Sequence, residues 1–107
     1  MESMYRMDVL DSSIPRQRDT VLVRVMADGS WMFYDRVQQV VHATNAIAGF
    51  IYRQCDGQKT VREIAEVVVE HTGNGRAQAL RHVKYIIREF VQAGVMELIG
   101  GKVQEDA

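Results

Sequence analysis

The stretch TNAIAGFIYRQCDGQKTVREIA, residues 44–65, decides how this chain folds. Asn45 is an N-cap residue, and behind it Ile47, Phe50, Ile51 and Cys55 form the apolar side of a first helix. Asp56-Gly57 ends that helix. Thr60 and Glu63 are spaced as a capping box, in which the hydroxyl serves the first turn and the carboxylate reaches back to the cap. Val61, Ile64, Ala65 and Val68 then follow at i, i+3, i+4 and i+7, one stripe of a second helix. Helices of about ten residues do not hold on propensity alone, so this punctuation is architectural before it is anything else.

Upstream of it the period changes. VLVRVM (21–26) and WMFYD (31–35) are β-branched and aromatic runs joined by Ala27-Asp28-Gly29-Ser30, and Asp-Gly is a favoured hairpin centre. A third run, QQVVHA (38–43), follows Asp35-Arg36-Val37. The pattern predicts a three-stranded antiparallel meander whose last strand is an unpaired edge. Downstream, Thr72-Gly73-Asn74-Gly75 closes the second helix. A third runs from about Arg76 to Ala93, with Leu80, Val83, Ile87 and Phe90 inward and Gly94 at its end. VMELI (95–99) adds a final strand or packs as extended chain. The order β-β-β-α-α-α with short turns is an α+β, winged-helix-like layout, with three helices on one face of a small sheet. Residues 1–19 hold the only proline and sustain no period, so they read as a flexible or loosely docked arm. Residues 20–99 form the domain, and 100–107, GGKVQEDA, read as a disordered tail.

Composition narrows the function. The chain has 107 residues, 47% hydrophobic and 25% charged, which fits one globular domain. A formal net charge of −1 argues against a bulk polyanion binder, so any electrostatic argument must rest on local faces. A single cysteine excludes an intramolecular disulfide framework. No apolar run approaches the ~20 residues of a membrane span. The first residues, MESMYRMDVLDSS, lack the basic and apolar regions of a signal peptide, so a cytoplasmic location is expected.

No catalytic constellation emerges. The histidines, His42, His71 and His82, fall in three different elements without metal-ligand spacing. Cys55 has no activating base and reads as a small core residue. Gly73-Asn74-Gly75 lacks the lysine and spacing of a phosphate loop, and Glu63, Glu66 and Glu70 form a solvated face. No metal, cofactor or enzymatic activity is expected. What stands out is Arg81, Lys84, Tyr85 and Arg88 at i, i+3, i+4 and i+7, a basic face with one aromatic, with Arg76 just before it. It suits something acidic and extended. One candidate is DNA, entered by the third helix of a winged helix-turn-helix regulator, but the chain is not basic and has no basic wing. The other is a peptide added to the edge QQVVHA, which carries no lysine or proline to defend it.

Residues 44–65 also resemble the PqqD-like family, the RiPP recognition elements. The family pattern is roughly Leu-Asn-x-Thr-Ala-x-x-Ile-Trp-x-Leu-x-Asp-Gly-x-x-Thr-Val-x-Glu-Ile-Ala. Asn45, Ala48, Ile51, Asp56, Gly57, Thr60, Val61, Glu63, Ile64 and Ala65 match it without a gap, and Tyr52 stands at the aromatic position. Thr44, Ile47 and Gln54 depart from it. A looser likeness runs from about Val21 to Glu97. The resemblance implies a non-catalytic peptide chaperone without a cofactor, which binds the leader segment of a ribosomally made precursor and presents it to a modifying enzyme, often a radical SAM protein. It further implies that the leader pairs with the third strand, here Val40, Val41, His42 and Ala43. The third helix would supply the opposite wall, here Arg81, Lys84, Tyr85 and Arg88.

Overall fold

The computed structural model describes residues 8–100. In chain order they form β1 (Ile14–Gln17), β2 (Val21–Val25), β3 (Trp31–Asp35), β4 (Val40–Thr44), α1 (Ala46–Gln54), α2 (Val61–Thr72), α3 (Arg76–Gln92) and β5 (Met96–Gly100). The meander β2–β3–β4 and the three helices after it are those the sequence predicts. Val21 stands opposite Asp35 and Val25 opposite Trp31, while Trp31 also faces Thr44 and Asp35 faces Val40. The third strand starts two residues later than its apolar run suggested. The Asp35 carboxylate accepts the N–H groups of Val37 and Gln38 at 2.9 and 3.1 Å, and Gln39 turns into left-handed backbone at φ 59°. Gln38 and Gln39 are therefore spent on the turn.

The caps form as read. Asn45 Oδ1 accepts from Ala48 N at 2.9 Å, Thr60 Oγ1 accepts from Glu63 N at 3.1 Å, and Glu63 Oε1 accepts from Thr60 N at 2.8 Å. Gly73 closes α2 in left-handed backbone at φ 79°, a conformation that costs glycine little. Thr60→Ala is expected to cost about 1 kcal/mol in urea unfolding, because one first-turn donor of α2 loses its acceptor.

The segment expected as an arm over 1–19 is held from Val9 onward. Val9, Ser13 and Pro15 are buried, and β1 pairs antiparallel with β5, adding a small second sheet. The carbonyls of Ser13 and Asp11 accept the N–H groups of Val61 and Arg62 at 2.8 and 3.0 Å, the first two donors of α2. The α1–α2 connection is tied to the same strand, with Gln17 N donating to the Cys55 carbonyl and Gly57 N to that of Pro15. A helix start buries its free donors only where something accepts them, and this segment is that acceptor. Residues 101–107, most of the expected tail, lie outside the described residues, as do residues 1–7.

The core lies between the inner face of the meander and the helices. Phe33 is its centre, with the Tyr52 ring centroid 4.4 Å away and that of Phe90 5.5 Å away. Ile51, Ile64, Val68, Val83 and Ile87 are fully enclosed around them. The Tyr52 hydroxyl donates to the Val95 carbonyl at 3.2 Å, and burial pushes its phenol up to about 12. Trp31 lies flat on α1, where a Cβ on Gly49 would come within 2.2 Å of the indole. Only glycine allows that approach. Cys55 is fully buried with its thiol directed to the Ile51 carbonyl at 3.2 Å. Burial raises its pKa, so it is a core side chain held as an unreactive thiol.

Candidate functional site

Among the described residues β4 pairs with β3 and with nothing else, so one side of its backbone is open. Which residues use that side follows from the ladder. Met26 N donates to the Ser30 carbonyl at 2.8 Å and Arg36 N to that of Thr20 at 3.0 Å. With the regular register of β2 and β3, the even-numbered residues of these strands therefore bond to one another. Trp31, Phe33 and Asp35 are left facing β4, where their partners are Thr44, His42 and Val40. The remaining residues of β4, Val41 and Ala43, aim their N–H and C=O groups outward.

Beside this edge runs a groove of about 300 Å³. Phe33, Ala48 and Phe90 form its floor, His42, Ala43 and Thr44 one wall, and Tyr85, Ile86, Glu89 and Ala93 of α3 the other. The lining is mostly apolar, with Glu89 its one carboxylate. Glu89 makes no ion pair among the described residues. An extended chain laid along β4 would find two outward peptide units and, on every second residue, an apolar slot.

Of the residues singled out in the sequence, Val40, Val41, His42, Ala43 and Tyr85 come together at this edge and groove. Arg81, Lys84 and Arg88 do not line it. On α3 they stack at i, i+3 and i+7 along one flank, while Ile86, Glu89 and Ala93 stack along the opposite one. Lys84 instead pairs with the Asp11 carboxylate, which also takes Arg62 Nη2 at 2.8 Å. The hydrogen bond from Lys84, then that from Arg62, holds the Asp11 carboxyl below the usual carboxylate range. Lys84 of the basic flank thus faces the N-terminal segment and the start of α2.

Ile86, Glu89, Ala93 and Thr44 were not picked from the sequence as site residues, and Phe90 was read there only as a core residue. The available signal was that Ile86, Glu89 and Ala93 border the same apolar stripe from its other side. The histidines are dispersed: His42 on β4, His82 on α3, and His71 stacked on Phe50 with centroids 4.1 Å apart. Among the described residues no three His, Cys, Asp or Glu side chains are grouped to hold a metal, and no helix is long and apolar enough to cross a membrane.

Two solved structures superpose on most of the chain. A lasso peptide synthetase B1 complexed with its leader peptide aligns with a TM-score of 0.68 at 15% identity, covering 78% of this chain and 98% of its own. TbiB1, solved in complex with the TbiA(beta) leader peptide, aligns with a TM-score of 0.67 at 15% identity, covering 77% of this chain and 94% of its own. At that identity the likeness establishes the fold. No curated protein matches the sequence. The family described as coenzyme PQQ synthesis protein D matches residues 25–96, from the end of β2 to the start of β5. That match spans more than half of the sequence, and the chain belongs to the PqqD family.

Proposed function

We propose that the protein is a non-catalytic recognition element that captures the leader segment of a ribosomally made precursor peptide in the cytoplasm. The leader adds as a strand to β4, and the protein presents it to a modifying enzyme, of the radical SAM type that the family resemblance implies. The observation that carries this reading is the open backbone of Val41 and Ala43 directly beside the apolar groove of Phe33, Ile86 and Phe90. Main-chain bonds supply affinity in such a mode, and the slot selects side chains. Support comes also from the two superposed proteins, both solved with leader peptides. The position of Glu89 in the wall fits a leader with a donor or cationic side chain at the facing position, in place of the acidic one suggested by the basic flank. Nothing favours DNA binding, since Lys84 is already engaged by Asp11.

The test is calorimetric titration with the synthetic N-terminal segment of any short peptide found encoded beside this gene, followed by amide shift mapping. Shifts are expected at Val41, Ala43, Tyr85, Ile86 and Glu89, with little change at Arg81 or Arg88. Shifts confined to α2 or to the 27–30 turn would refute the groove, and retardation of random duplex DNA without peptide binding would favour the regulator.

A further inference from the structure

The sheet has a second open edge. Among the described residues β2 pairs with β3 alone, and by the same ladder its odd-numbered residues turn their backbone groups away from β3. The N–H of Val21 is taken by the Arg18 carbonyl at 3.1 Å, which leaves the Val21 C=O and both groups of Val23 and Val25 facing out. Past Val21, which is buried, this strand is exposed along its length. Val23 shares the inner face with fully buried Phe33, yet Val23 and Val25 are 40% and 50% exposed, and Leu22 on the outer face is 52% exposed. The inner face of the strand is apolar throughout, with Val21, Val23 and Val25, and Leu22 stands beside Arg24 on the outer face, so the open edge leaves apolar surface that a further strand would cover. Edges left free in solution carry charges, proline or a bulge; VLVRV has one charge, Arg24 on the outer face, with no proline and a register without irregularity.

We propose that β2 docks on β2 of a second copy of this chain, antiparallel about a two-fold axis at Val23, giving one continuous six-stranded sheet. The strand is complementary to itself in that register. Each Val23 exchanges both backbone bonds with its mate, and each Val25 N–H meets the Val21 carbonyl of the other copy. On the side-chain faces Val23 lies opposite Val23, Val25 opposite Val21, and Leu22 opposite Arg24, so no like charges oppose. The strand ends also complement each other. At the start of β2 the Arg36 guanidinium donates to the carbonyls of Asp19 and Thr20 and has no carboxylate among the described residues. Beyond the end of β2, the Asp28 carboxylate accepts from the Ser30 N–H and hydroxyl and makes no ion pair among the described residues. Arg18 at this end lies 4.0 Å from Glu97, so Arg36 is the cation left without a carboxylate among the described residues, and the two-fold axis brings this end to the partner's Asp28 end. Isologous pairing of this kind closes after two copies. Both β4 edges remain at the far ends of the joined sheet, so the assembly is independent of peptide capture.

Sedimentation velocity of the full chain across a concentration series tests this. The wild-type chain is expected to sediment as a dimer. Val23→Lys and Val23→Glu are each expected to sediment as monomers with unchanged circular dichroism, since each sets like charges against each other at the axis. Mixing the two variants is expected to restore a dimer. Val25→Lys, which would face Val21, should weaken the dimer less, and Val41→Pro should leave it intact. A wild-type chain that is monomeric throughout overturns the proposal, as does a dimer that survives both Val23 charges, or an assembly larger than two copies. Because the readout is mass, failure here leaves the groove reading untouched.

Discussion

Val41→Pro is expected to abolish capture of the leader segment with the fold intact, while His42→Pro should unfold β4 from the sheet. The two residues are neighbours, and sequence could not separate them, because Val40 and Val41 are both apolar and leave the register open. The ladder separates them. Val41 turns its N–H to the open edge, so proline there removes only a donor that an incoming strand would use. His42 belongs to the hydrogen-bonded pair with Phe33, so proline there deletes a bond inside the sheet and orphans an acceptor beside the core. Such a lesion costs about 1–3 kcal/mol before any steric strain is added. Titration of the leader segment and thermal melting of both variants decide the matter. Full binding by a folded Val41→Pro protein would end the strand-addition mechanism.

Phe33→Ala is expected to remove about 3–5 kcal/mol of stability, the typical cost of emptying a large aromatic site. Phe33 is fully buried and touches both halves of the fold, with its ring against Tyr52 of α1 and edge-on to Phe90 of α3. Neither neighbour can fill the space. Tyr52 is held by its hydroxyl at the Val95 carbonyl, and Phe90 sits on the far side of the groove floor. Against a total of about 5–15 kcal/mol for a small domain, the loss is a large share. Urea unfolding should show the midpoint fall with the slope preserved. A loss below about 1 kcal/mol would mean that this ring is not the keystone of the helix–sheet contact.

Features carried by local chemistry were legible in the sequence. Asn45, the Thr60–Glu63 box and Gly73 act within a single turn, so residue type and spacing suffice to place them. The open edge at 40–43 was likewise visible as an apolar run without defence. Which flank of α3 meets that edge was not. Arg81, Lys84 and Arg88 border the apolar stripe on one side, and Ile86, Glu89 and Ala93 on the other. The choice is made by packing against β4 and by Asp11, more than seventy residues away in the chain. The docked N-terminal segment was hidden for a related reason. β1 is four residues with a proline, and its partner strand lies at the other end of the chain, with the register shifting between Ile14 and Pro15.

That pairing sets an order of events in folding. Arg16 and Glu97, joined by a salt bridge across β1 and β5, are separated by 81 positions, whereas the meander strands are joined by turns of a few residues. Closing the long loop costs entropy that adjacent hairpins do not face, so the ribbon of the two ends forms after the meander and its helices have collapsed. The same ribbon is the first part to open, and when it does the Ser13 and Asp11 carbonyls leave α2 with it. Native-state hydrogen exchange should therefore show the amides of β5, Val61 and Arg62 exchanging as one early unit, ahead of Phe33. A domain whose open edge lies in strands joined by short turns can hold that edge ready while its ends still breathe.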